Sequence, residues 1–163
     1  MTTDFASATD NAFDVAIQGD GKIVVGGATF GAGFADFALA RYQNGGALTV
    51  SIDIKLGSST NPINLSSGGL VPVAILTTDT FDATTVDSST VCFGDDDNPS
   101  QRDCTEAHGK GHIEDVNGDG RPDLLLHYEV SQTGIDPGDT TACLTGKTFA
   151  NVNIEGCDSI KTL

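Results

Sequence analysis

At 163 residues, with 23 Asp and Glu against 8 Lys and Arg and a formal net charge of -15, the chain can bury one sizeable core, or one core and a small appendage. The charge argues against nucleic acid and anionic membrane surfaces, which would repel it, and makes metal cations the natural counter-charge. No apolar run approaches the twenty residues of a membrane helix, so no membrane insertion is expected, and residues 1–20 lack the basic start and apolar centre of an export signal.

Glycine is abundant and Trp absent, and short stretches rich in Val, Ile and Thr are separated by Gly, Asn and Asp, which predicts an all-β chain. Residues 1–49 form a first unit. Phe13-Asp14-Val15-Ala16-Ile17-Gln18 alternates, Gly19-Asp20-Gly21 turns with the positive φ angles that tight hairpins need, and Lys22-Ile23-Val24-Val25-Gly26-Gly27 returns. A third strand, Asp36-Phe37-Ala38-Leu39-Ala40-Arg41-Tyr42, ends in the turn Gln43-Asn44-Gly45-Gly46. The glycine-rich stretch from Gly26 to Gly33 lacks the Lys-Ser/Thr of a phosphate loop and is read as a turn.

Residues 50–163 form the main domain. Strands are expected at Val50 to Leu56, Leu70 to Leu76, Thr90 to Phe93, Gly111 to Asp115, Leu124 to Val130, Ala142 to Thr145, Asn153 to Glu155 and Asp158 to Lys161. Their number and spacing predict an Ig-like two-sheet β-sandwich. Pro72 cannot donate to a ladder and is expected at a strand start, bulge or edge.

Between the fourth and fifth of these strands, Asp115-Val116-Asn117-Gly118-Asp119-Gly120-Arg121-Pro122-Asp123 places oxygen donors at positions 1, 3, 5 and 9 of a tight loop. Calcium takes six to eight hard oxygen ligands, so Asp115, Asn117, Asp119 and Asp123 are the expected side-chain ligands, with the carbonyl of Arg121. Position 12 is Leu126 rather than the Glu of an EF-hand, and the following residues read as a strand. The loop resembles those in the β-hairpins of FG-GAP propeller repeats and the first half of dockerin loops. Residues 79–123 hold 12 acids against 3 bases, and a second cation site is expected among Asp95, Asp96, Asp97 and Asp103.

The four cysteines allow three connectivities, and the sequential one, Cys92 with Cys104 and Cys143 with Cys157, is favoured because each couple brackets a turn-rich segment. Disulfides imply an oxidising, extracellular or cell-surface location. An exported chain without a leader is expected to begin inside a longer protein.

Two resemblances add to this. Ala16 to Gly27 and Asp36 to Tyr42 closely resemble one delta-60 repeat, a propeller-blade-like unit found in tandem in large secreted bacterial proteins. Its repeats run Gly-Lys-Val-Thr-Thr-Asp-Phe where this chain starts Met1-Thr2-Thr3-Asp4-Phe5, which reads Met1 as a valine codon used as a start. One blade needs neighbours on both faces. It is expected to end an array, to pack on the second domain, or to donate strands to another copy and so build a filament. In the second unit, Ile52-Asp53-Ile54-Lys55, Val71 to Leu76, Gly109 to Gly120 and Leu144 to Phe149 are similar to an uncharacterised domain of secreted bacterial and archaeal surface proteins. That resemblance implies surface location and calcium, and no activity.

Enzymatic signals are weak. His108 and His112 lie near Glu114 and Asp115, but glycines oppose a helix and a third zinc ligand is not indicated; a structural histidine bonding the calcium loop is expected. No aromatic platform to stack a sugar is expected, since Trp is absent and Tyr42 and Tyr128 are the two tyrosines; an exposed binding patch could draw only on Phe30, Phe34 and Tyr128, and no G-x-S-x-G elbow exists. The resulting expectation is a secreted, non-catalytic, calcium-stabilised surface or matrix module whose partners are its own copies or other surface proteins. The alternative is a ligand- or carbohydrate-binding module or hydrolase accessory domain, which predicts exposed aromatics or a pocket where at least two of His108, His112, Glu114 and Glu129 converge around open solvent.

Overall fold

The computed structural model describes residues 9–18, 22–31, 34–42 and 46–163. The expectations for Met1 to Phe5, for the Gly19-Asp20-Gly21 turn and for Gln43 to Gly45 fall outside the described residues. The chain divides into two compact units between Gly46 and Ala47. Among the described residues all regular structure is β apart from three short 3-10 turns, Ala83–Thr85, Pro99–Gln101 and Val130–Gln132.

The first unit is a three-stranded antiparallel sheet in the order β1 (Thr9–Ile17), β2 (Ile23–Gly31), β3 (Phe34–Tyr42). The glycine-rich stretch expected to turn from Gly26 is instead strand as far as Gly31. The reason is close approach: a Cβ at Gly27 would overlap the Asn11 carbonyl of β1, so glycine here lets the strands pair rather than breaking them. A bulge between Ala12 and Asp14 shifts the register of β1. Alternation places Val15 and Ile17 on one face and Phe37 and Leu39 on the other, all four exposed.

The second unit is built from two four-stranded sheets. One runs β5 (Ile52–Ile54), β7 (Leu70–Ile75), β10 (Asp123–Glu129), β9 (His112–Glu114), all antiparallel. The other runs β4 (Leu48–Thr49), β12 (Asn153–Ser159), β11 (Thr141–Thr148), β8 (Val86–Asp95), with β4 joined in parallel to β12. A small parallel pair, β6 (Pro62–Ile63) with β13 (Lys161–Thr162), closes one end.

One core lies between the sheets. Ile54, Val71, Val73, Ile75, Leu124, Leu126 and Tyr128 meet Val86, Val91, Phe93, Ala142, Leu144 and Ile154, the period-two pattern of two inner faces. The architecture is thus the expected β-sandwich. Two expected strands, Asn153 to Glu155 and Asp158 to Lys161, are largely one, β12, with Lys161 beginning β13. The strand expected from Val50 to Leu56 is cut to three residues because Lys55 turns to φ 54.

That cut explains Pro72. Rather than at a start, bulge or sheet edge, it lies inside β7, an interior strand. Its carbonyl accepts from the Lys55 amide at 2.9 Å, just where β5 ends, so the missing N–H faces the point at which the neighbouring strand has left the ladder.

The disulfides follow the sequential pairing, Cys92 with Cys104 and Cys143 with Cys157. Cys143 and Cys157 stand opposite each other on β11 and β12. Cys92 precedes Phe93, whose amide and carbonyl pair with Asp103 beside Cys104. Two such bonds place the chain in an oxidising, extracellular setting. No helix among the described residues is long and apolar enough to cross a membrane.

Candidate functional site

The β9–β10 hairpin carries two clusters of metal-ligating side chains, one in its connecting loop and one at its open end. The connecting loop is the acidic segment. Gly118 and Gly120 adopt φ 77 and φ 85, and these left-handed positions wind the backbone so that its amides point inward. Asp115 takes three of them: one oxygen accepts from Gly118 at 2.8 Å and Asp119 at 3.1 Å, the other from Gly120 at 2.9 Å. Asn117 Oδ1 accepts from the Asp119 amide at 2.9 Å, and Asp119 Oδ1 from the Arg121 amide at 2.9 Å. The Arg121 side chain reaches out to Asp79, whose hydrogen bond and charge raise the guanidinium pKa.

Asp123 differs from its fellows. It begins β10 with 0 % exposure, and its two oxygens accept from Thr77 at 2.8 Å and from Val116 at 3.1 Å. It therefore ties the loop both to its own start and to the segment after β7. The donor set of the loop, hard carboxylate and amide oxygens held by backbone amides, is of the kind that suits calcium.

The second acidic group is spread over the end of β8 and the turn after it. Asp95 and Asp103 are buried, Asp96 and Asp97 exposed. Asp95 accepts from the Asp97 amide at 3.0 Å and Asp103 from the Thr105 amide at 2.8 Å. Positive charge is already present: the Arg102 guanidinium donates to the carbonyls of Asp95 at 2.7 Å and Asp96 at 3.4 Å. Burial lowers the Arg102 pKa, against the pull of Asp95 and Asp96.

At the other end of the hairpin the three histidines meet. His112 pairs across from Leu125 on β10. Since Leu124, Leu126 and Tyr128 fill the core, alternation turns Leu125 and His127 to the opposite face, the one His112 shares. His108 comes from the preceding loop, fastened to β10 by the Ala107 amide donating to the His127 carbonyl at 2.8 Å. His112 Nε2 lies 3.3 Å from His108 Nδ1, and the rings of His108 and His127 are 4.6 Å apart between centroids. Ligand atoms from all three lie within 4.8 Å of one another.

Beneath them is the buried carboxylate of Glu106. Its Oε2 accepts from the amides of His108 at 2.8 Å and Lys110 at 2.9 Å, and its Oε1 from the His127 amide at 3.0 Å. Oε1 is also 3.8 Å from Nδ1 of both His108 and His127, too far for a hydrogen bond but close enough to act as a charge. Burial lowers the His127 pKa, the His108 and His112 rings add to the effect, and Glu106 and Glu114 oppose it.

His127 is the site residue that sequence reasoning missed. His108 and His112 bond to each other through their side chains, not to the acidic loop as expected. The missing signal was the hairpin itself: a turn at Asp115–Asp123 sets His112 beside Leu125 and puts His127 on the same face. Glu114 and Glu129, grouped with these histidines in the enzymatic reading, are exposed.

Tyr128, which the binding-module alternative would need exposed, is fully buried, its ring 5.5 Å from Phe93 and its hydroxyl donating to the Val91 carbonyl. Burial raises its pKa well above the ordinary phenol range. Phe30 is exposed, and the side chain of Phe34 falls outside the described residues.

Comparison with known proteins bears on the N-terminal part of the chain. Residues 18–48 match a family described as a domain of unknown function (DUF5122) beta-propeller. That segment spans β2 and β3, so a propeller-repeat segment is present at the N-terminal end of the chain. No curated protein and no solved structure matches the chain.

Proposed function

We propose that the chain is a secreted, non-catalytic structural module of a cell surface or extracellular matrix, and that calcium in the Asp115–Asp123 loop stabilises its sandwich domain. The observation that carries this reading is the loop's construction. Oxygen-bearing side chains at positions 1, 3, 5 and 9 accept backbone amides in a loop wound by two left-handed glycines, and the last of them, Asp123, is locked into the sandwich. Asp115, Asn117 and Asp119 would hold the ion with Asp123 and the Arg121 carbonyl. Calcium would supply the counter-charge that lets these groups sit together, and by binding only the folded loop it would stabilise the fold. Likeness to the calcium loops of FG-GAP and dockerin hairpins supports the same ion.

The first unit supports self-association. Its sheet carries exposed apolar residues on both faces, and a propeller repeat is a unit that buries such faces against neighbours. Partners are therefore other copies of this chain or other surface proteins, with strand donation as the route to a filament.

The test is thermal unfolding of the non-reduced protein in excess calcium and in chelator, with light scattering on the same samples. Calcium at a hundredfold excess over its Kd should stabilise by about 2.7 kcal/mol. Large particles that form only with calcium would support assembly. A midpoint indifferent to calcium would remove the basis of the reading.

A further inference from the structure

We propose that His108, His112 and His127 form a site for a zinc-class divalent transition metal, separate from the acidic loop, with Glu106 as its positioning residue. The chain contains three histidines, and all three converge on one spot although they come from a loop and two strands. Chance placement on a 163-residue surface does not ordinarily gather every imidazole of a protein.

The distances suit a tetrahedral metal. Two nitrogens each about 2.0–2.1 Å from zinc stand about 3.3 Å apart around a tetrahedron, and His112 Nε2 to His108 Nδ1 is 3.3 Å. A simple N–H···N hydrogen bond between two imidazoles has the same length, so a further observation must decide. It comes from His127, whose Nδ1 is buried and has no hydrogen-bond partner. A buried imidazole nitrogen without a partner, in a ring whose centroid lies 4.6 Å from that of His108, is costly if nothing fills the gap, and a cation satisfies it directly.

Charge points the same way. Glu106 supplies a buried negative charge 3.8 Å from two of the ring nitrogens. Its three backbone contacts fix the amides of His108, Lys110 and His127, so it holds the loop and β10 at the spacing the site requires. His108 is 44 % exposed on its side chain, which leaves the metal open to a water or an incoming ligand as a fourth group. Three imidazoles and water are a borderline-soft donor set, suited to zinc, cobalt, nickel or copper and unsuited to calcium. The acidic loop and the histidine cluster would therefore take different ions.

The test uses the full chain with disulfides intact, stripped by chelator and then saturated with calcium to occupy carboxylate sites. Co2+ is titrated in and followed by visible absorption. The expected result is one equivalent bound with the strong bands of four-coordinate cobalt, displaced by Zn2+. Two variants, His108→Ala at a half-exposed ring and His112→Gln on an edge strand, should each weaken Co2+ binding about tenfold or more. Both should keep the unfolding midpoint of the metal-free protein. Nitrogen NMR of the imidazoles gives a second readout, in which Zn2+ should shift the resonances of all three rings together. Absence of cobalt uptake, a weak six-coordinate spectrum, uptake unchanged in both variants, or imidazole resonances indifferent to Zn2+ would each overturn the proposal.

Discussion

Replacement of Asp123 by Ala is expected to destabilise the sandwich domain heavily even when no calcium is present. The carboxylate is fully buried and accepts from the amides of Thr77 at 2.8 Å and Val116 at 3.1 Å. Hydrogen bonds to a charged group contribute about 1.5–3 kcal/mol each, and leaving their partners buried without an acceptor costs at least as much. Two bonds lost together give about 3–6 kcal/mol. For a domain of this size 1 kcal/mol moves the midpoint by about 3–5 °C, so the shift should exceed about 10 °C. The assay is thermal unfolding by circular dichroism in chelator, with Asp119→Asn beside it. Asp119 is exposed, and its variant should fall within about 0.5 kcal/mol of the parent under the same conditions. If Asp123→Ala shifts the midpoint no more than Asp119→Asn does, the buried carboxylate is not the tie between loop and core that its hydrogen bonds describe.

Removing one disulfide by Cys143→Ser with Cys157→Ser opens a link between residues 14 apart in sequence and should cost about 3 kcal/mol in the chain-entropy model, read as a lower denaturant midpoint with an equal or slightly steeper slope. Asp53 supplies a pH test. Burial raises its carboxyl pKa above 3.8, Asp158 adds to the rise, and a hydrogen bond from Gly57 opposes it. A raised carboxylate penalises the folded state once it ionises, so Asp53→Asn should leave stability equal or slightly higher at neutral pH, and any gain should vanish as the pH falls below about 4. A gain that instead appears only in acid would reverse the assigned sign.

The sheets were legible because their inner faces follow period two: Val71 and Val73, Leu124 and Leu126, and Cys143 between Ala142 and Leu144 announce strands without reference to their partners. Features set by contact between strands were not. Gly27 looks like a turn residue until the Asn11 carbonyl is seen against it. Pro72 looks like an edge residue until β5 is found to end opposite it. Tyr128 continues the alternation of Leu124 and Leu126 along β10, and its burial closes it to an exposed binding role. The acidic loop was visible because its donors are local in sequence. The histidine cluster was not, because His127 meets His112 across a hairpin and meets His108 through a loop whose path depends on the buried carboxylate of Glu106.

The most direct measurement of the central claim is calorimetric titration of calcium into the full-length, non-reduced chain, in parallel with Asp119→Asn. Saturable calcium binding is expected in the parent, with a marked loss of affinity in the variant, since Asp119 is exposed and would contribute a ligand without holding the fold. Calcium binding equal in the two proteins, or none in the parent, would contradict the assignment of the Asp115–Asp123 loop as the calcium site.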